Sequence, residues 1–181
     1  MIKSINPATL EVNGEVEETP IEDIENIFEN ARAAQKEWAK LSVEERARKV
    51  VNVNNVILNQ FDEISLLISK EVGKPPSEAF INEVYGVMDS TFHYYNHVKE
   101  LLGEPETIPL GFYESLDKKS ILLHKPLGVI CVIGPYNYPL TIPFQQIVQS
   151  LLAGNSVIFK PSSDTVLVGE KIQEIFDQID L

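Results

Sequence analysis

Residues 126–163 read PLGVICVIGPYNYPLTIPFQQIVQSLLAGNSVIFKPSS, and the fold class follows from this run. Its first part, LGVICVI at 127–133, is apolar at both alternations and rich in β-branched residues, the pattern of a strand covered on both faces. Gly134 and Pro135 break that strand. Pro143 suits the first turn of a helix, Ile147, Val148, Leu151 and Leu152 give it an apolar stripe, and Gly154 stops it. Residues 155–159 predict a second buried strand, closed by Lys160-Pro161-Ser162-Ser163. Asp164 or Thr165 then caps a last helix carrying Leu167, Ile172, Ile175, Phe176 and Ile179. Strand–helix–strand–helix at this spacing is a βαβ unit, so the chain is read as α/β with a parallel sheet.

Upstream of this run the pattern is helical. Thr19-Pro20-Ile21-Glu22 has the form of a capping box, with Ile24, Ile27, Phe28, Ala31 and Trp38 following at helical spacing. Ser42-Val43-Glu44-Glu45 is a second capping box, opening a helix whose apolar side includes Val50, Val53, Ile57 and Leu58. Asp62 predicts the start of a third helix bearing Ile64, Leu67 and Ile68, stopped by Gly73 and the Pro75-Pro76 pair. Ser77 opens a long helix to about Leu102, ended by Gly103. Residues 111–125 then alternate short apolar and polar stretches, as in a hairpin or extended arm. The resulting division is a helical part at 1–107, a hairpin or arm at 108–125, and the start of a Rossmann-like sheet at 126–181.

Charge follows the same division. The 181 residues carry 27 acidic and 15 basic side chains, a formal balance of −12. Residues 1–117 hold 22 of the acids and 10 of the bases, and residues 118–181 hold the remaining five of each. An acidic helical layer therefore precedes a neutral, apolar third. This balance argues against a nucleic-acid or anionic-membrane partner, since both require clustered Lys and Arg. The single cysteine, Cys131, cannot make an internal disulfide and suits a reducing cytoplasm. The first residues lack a signal-peptide pattern, and no apolar stretch reaches membrane-spanning length.

In an open α/β sheet, ligands bind beyond the carboxyl ends of the strands. Two loops qualify here, 134–139 and 160–163. Neither is a G-x-G-x-x-G or Walker loop. Asn137, fenced by Pro135 and Pro139, could present its amide to a developing oxyanion or could satisfy local turn groups. Lys160 could meet a ligand or merely emerge at the sheet edge. Cys131 reads as a core residue in mid-strand rather than a nucleophile. His93 and His97 share a helix face, but no third metal ligand accompanies them, so they are read as packing residues and no metal site is expected.

Taken together, these motifs resemble the cofactor-domain core of the NAD(P)-dependent aldehyde dehydrogenases, whose usual text is P-L-G-V, P-W/F-N-F/Y-P and A-G-N-x-V-V-x-K-P. Asn6-Pro7-Ala8-Thr9, Ala31 through Trp38, Glu45-Arg46-Ala47 and Gly73-Lys74-Pro75 extend the likeness over the whole chain. The resemblance implies that Asn137 is an oxyanion-hole asparagine and that Lys160 binds the adenosine ribose hydroxyls. It also implies that Ile133, Gly134, Pro135, Tyr136, Ser162 and Ser163 lie against NAD or NADP, and that the arm joins subunits into a dimer or tetramer. Many NAD-preferring members carry Glu where this chain has Ser163. A carboxylate there would repel a ribose phosphate, so serine suggests that NADP is accepted.

The family's reactive cysteine, general-base glutamate and next glycine motif lie downstream of Leu181. The chain is therefore read as an N-terminal piece of an enzyme oxidising an aldehyde to its acid, lacking the catalytic domain and inactive alone. A CoA-dependent acylating relative and a non-catalytic α/β binding module are the competing readings. An incomplete sheet should also leave an open edge and favour self-association.

Overall fold

The computed structural model describes every residue except Glu104, and every side chain except those of that residue and residues 113–115. The chain opens with an antiparallel hairpin, β1 (Ile2–Ile5) and β2 (Val12–Val16), which the sequence reading did not anticipate. Its turn is local chemistry. Asn6 Oδ1 accepts the Ala8 amide at 2.9 Å, an Asx turn, and Leu10 takes a positive φ of 63°.

A short 3₁₀ turn, Ile21–Asp23, leads into α1 (Ile24–Trp38). The expected Thr19–Glu22 capping box does not form. Pro20 is the capping residue, in an extended conformation, and no side chain bonds the free amides. The expected inner face of α1 is also largely exposed at Ile24, Ile27 and Phe28. Its end is pinned by Trp38 Nε1 donating to the Leu151 carbonyl at 2.8 Å and Gln35 Nε2 to that of Gly154 at 3.0 Å.

The Ser42 capping box is present at the start of α2 (Val43–Val50). The next helix, α3 (Val53–Val72), runs straight through Asp62. The break expected at Asp62 falls at Val51 and Asn52 instead. An interior Asp costs well under about 1 kcal/mol of propensity, which burial of Val53, Ile57, Ile64 and Ile68 along one stripe outweighs. Gly73 ends α3 in the left-handed conformation, as expected. The long helix follows as α4 (Pro76–Ala79), a π-helical turn (Phe80–Tyr85) and α5 (Gly86–Leu102). The arm is a two-stranded hairpin, β3 (Glu106–Ile108) and β4 (Ser120–Leu122), bridged by a 3₁₀ turn at Gly111–Leu116.

The βαβ unit forms as read: β5 (Val129–Ile133), α6 (Thr141–Leu152) and β6 (Ser156–Lys160) with a parallel register, followed by α7 (Val166–Asp177). Helix α6 packs on the sheet and, on its other side, on α2 and α5, while α7 packs on α3. Phe144 and Phe176 stack at 4.9 Å between ring centres, joining α6 to α7. Arg46 is buried and donates through Nε to the Leu152 carbonyl at 3.0 Å, tying α2 to the end of α6; burial lowers its pKa.

Two expectations about the sheet need correction. Val132 is buried, but Cys131 and Ile133 are exposed, so β5 is covered on one face only among the described residues. Cys131 is thus not a core residue. Thr165 stands at the cap position of α7 without a side-chain bond to the helix. Glu71 of α3 occupies that place, accepting the Leu167 and Val168 amides at 3.1 and 2.8 Å.

Candidate active site at the carboxyl edge of the sheet

The parallel register brings the two candidate loops together. Ile133 stands opposite Lys160, and the Gly134 amide donates to the Lys160 carbonyl at 2.9 Å, extending the ladder one residue past the strand. Gly134 is buried, and a Cβ there would lie 3.1 Å from the Phe159 ring and 3.4 Å from Pro143. A side chain here would require the Phe159 ring and Pro143 to give by a few tenths of an ångström. Pro135 and Tyr136 follow on the surface, with Tyr136 exposed.

Asn137 projects from this loop and is exposed. Among the described residues nothing is hydrogen-bonded to its side chain, so the turn-satisfying alternative is not what the geometry displays. Its backbone is held instead. Lys74 Nζ donates to the Asn137 carbonyl at 2.9 Å and to Glu83 Oε1 at 2.6 Å, and lies 4.1 Å from the centre of the Tyr138 ring. Glu83 is fully buried, and its Oε2 accepts the Leu140 amide at 2.9 Å and the Thr141 amide at 3.4 Å. A buried carboxylate is tolerable only with such partners.

The second loop depends on itself. Lys160 is exposed, and its ammonium donates to the adjacent Pro161 carbonyl at 3.2 Å. Ser162 Oγ accepts the Asp164 amide at 3.2 Å, while Ser163 is exposed beside it. A cation on the last residue of β6 and the Ser163 side chain therefore face solvent, with Ser162 half-buried between them and no carboxylate in residues 160–163. A cavity of about 610 Å³ lies elsewhere, lined by Trp38, Leu151, Val157, Phe159 and Phe176 among others, and includes no residue of either loop.

Cys131 lies two positions before the strand end, opposite Ile158. The His93 and His97 rings stack at 4.3 Å on the exposed side of α5, with His97 Nδ1 engaging the His93 carbonyl at 2.8 Å. The sequence reading passed over Lys74 and Glu83 as part of any site. The available signal was Glu83 itself, four residues after Ala79 and four before Val87 on an apolar stripe.

The chain is 37% identical over 168 residues to an N-succinylglutamate 5-semialdehyde dehydrogenase of Pseudomonas fluorescens, covering 93% of this chain and 33% of that one. It is 33% identical to a 1-pyrroline-5-carboxylate dehydrogenase of Staphylococcus saprophyticus, covering 99% and 34%. Among solved structures, it matches aldehyde dehydrogenase 21 of Physcomitrella patens with a TM-score of 0.90 at 25% identity, over 99% of this chain and 37% of that one. The NADP-dependent glyceraldehyde-3-phosphate dehydrogenase of Bacillus halodurans, solved with NADP, gives 0.87 at 27% identity, over 97% and 37%. The chain thus spans about a third of the length of its relatives. The model of the aldehyde dehydrogenase family matches residues 1–181 throughout, and the chain belongs to that family.

Proposed function

We propose that this chain supplies the oxyanion and ribose-binding loops of an enzyme that oxidises an aldehyde to its carboxylic acid with NAD(P). The observation that carries the proposal is the pairing of the two loops at one sheet edge, fixed by the Gly134–Lys160 backbone bond. NAD(P) accepts the hydride when bound. Lys160 donates to ribose hydroxyls, with Ser162 and Ser163 beside it, and the 133–136 turn lies against the dinucleotide. The exposed amide of Asn137 donates to the oxygen that gains charge when the aldehyde carbon becomes tetrahedral. Cys131, two positions short of the strand end, is not the nucleophile in this reading. The attacking thiolate and the base come from the two-thirds of the relatives' length that this chain does not span, so residues 1–181 alone do not turn over aldehyde.

Assay of an active enzyme carrying this segment tests the proposal. Asn137→Ala lowers kcat about 10²–10³-fold, as loss of one oxyanion donor does elsewhere, and an unchanged kcat would overturn the assignment. Ser163 leads to a second expectation. With no carboxylate to repel a ribose phosphate, NADP supports turnover, and a preference for NAD of at least about a hundredfold, equivalent to about 2.7 kcal/mol, would refute this.

Further features fit the same reading. Ile108, Phe112, Ile121, Leu122 and Leu123 are exposed on or beside the β3–β4 hairpin, as an arm that joins subunits of a homo-oligomer requires. The acidic balance favours neither nucleic acid nor an anionic membrane as partner, and the lone thiol suits the cytoplasm. Among the described residues no helix is long and apolar enough to cross a membrane. The division at residues 107 and 125 separates the helical part, the arm and the start of the cofactor sheet.

A further inference from the structure

We infer that Lys74 and Glu83 are positioning residues that set the Asn137 loop from the helical layer. The inference rests on the reading of Asn137 given above and extends it to two side chains that touch no reacting atom.

Five contacts converge on the loop from one side. The Lys74 ammonium holds the Asn137 carbonyl, so the peptide carrying the catalytic side chain is fixed by a charge-assisted bond from residue 74. The same ammonium lies over the Tyr138 ring. Glu83 takes the amides of Leu140 and Thr141, the free donors where the loop enters α6. Thr141 Oγ1 in turn donates to the Asn82 carbonyl at 3.1 Å. The loop from Asn137 to Thr141 is thus clamped at both ends by a segment more than fifty residues earlier in the chain.

The geometry of that segment is unusual in the way such a clamp needs. Gly73 turns the chain out of α3 with φ 82°, which places Lys74 directly beyond the helix end. Asn82 and Glu83 lie in the π-helical turn Phe80–Tyr85. A π turn is wider than an α turn and is seldom retained without a functional or packing reason. Here it presents both a carbonyl and a carboxylate to the start of α6. The two partners are nearly or wholly removed from water, with side-chain exposures of 9% and 0%, so each depends on the other. A surface ion pair would yield with every fluctuation, whereas a buried one with all its oxygens engaged has a single low-energy arrangement. That is the property required of a support for an oxyanion donor, whose benefit depends on being in place before charge develops.

The test is made on the 181-residue chain by NMR, without aldehyde or cofactor. Glu83→Gln keeps one oxygen for Lys74 but turns an NH₂ group toward the Leu140 and Thr141 amides. Lys74→Met keeps the stem over Tyr138 and removes the bond to Asn137, while Lys74→Arg keeps a cation. Amide exchange at Leu140 and Thr141 is expected to quicken about tenfold or more in the Gln and Met variants. The Tyr136–Tyr138 amides should show greater fast motion, while exchange at Val132 and Ile147 stays within about twofold of the parent. Lys74→Arg should restore protection. An unchanged loop in a folded variant would overturn the inference. So would parallel acceleration at Val132 and Ile147, or unfolding of Glu83→Gln, since either would make the pair a support of the whole fold. The Asn137→Ala turnover assay reports separately on the oxyanion role, so failure of one reading is distinguishable from failure of the other.

Discussion

The two strand-to-helix crossings of this molecule are built alike and wired differently. At each, a loop leaves the sheet and enters a helix whose first amides are taken by a buried glutamate from the helical layer: Glu83 for α6 and Glu71 for α7. Glu83 faces Lys74, and that lysine also grips the loop. Among the described residues Glu71 has only the Ser4 hydroxyl and backbone amides as partners, and burial raises its pKa against the lowering effect of those bonds. The difference separates their tasks. The loop carrying Asn137 is held by a charge pair that keeps its arrangement, as the oxyanion role proposed for it requires. The loop carrying Lys160, Ser162 and Ser163 bonds mainly to itself, which leaves it free to adapt to the ribose proposed as its ligand.

The comparison can be attacked first at its strongest point. Glu83→Ala takes the acceptor from Lys74 and from two helix amides at once, and amide exchange at Leu140 and Thr141 should quicken about a hundredfold or more, equivalent to about 2.7 kcal/mol of local stability. Acceleration of less than about fivefold, roughly 1 kcal/mol, would show that the pair holds the loop no better than a surface contact does. Glu71 gives an intermediate, pH-dependent effect. The folded chain binds a proton on Glu71 that the unfolded chain has already released in the range just above the ordinary glutamate pKa. Its contribution is therefore fully present below that range and is lost as pH rises through the raised value. The stability of the parent relative to Glu71→Gln should accordingly fall with rising pH over this window, and a flat difference would show that burial does not raise the Glu71 pKa. The smallest effect belongs to the second loop. Ser162→Ala removes one exposed bond to the Asp164 amide and should change stability by about 0.5 kcal/mol or less. A larger loss would mean that this loop too is anchored.

Much of the fold was legible from local pattern. The apolar stretches of β5 and β6, the stripe of α6, the Ser42 capping box and the stop at Gly73 all appear where periodicity and turn chemistry put them. The positions of Asn137 and Lys160 at one sheet edge followed from the same βαβ reading. The errors have a common cause. Asp62 looked like a cap and is an interior helix residue, because burial of α3 outweighs its weak propensity. Thr165 looked like a cap, but a carboxylate from α3 took its place. Cys131 looked buried because an apolar strand says nothing about what covers each face, and the face it shares with Ile133 is open among the described residues. The first hairpin went unread although Asn6 offered an Asx turn.

By itself the amino-acid sequence determined the order of helices and strands in the last third, the two loops that meet at the sheet edge, and the family to which they are similar. Backbone propensity and hydrophobic period act over a few residues, so they can be read along the chain. Only the tertiary structure decided which glutamate serves which helix, that Lys74 reaches Asn137, and which side of β5 meets solvent. Those outcomes depend on desolvation and on partners far apart in sequence, and a charge becomes a structural tie only when packing removes it from water beside its complement.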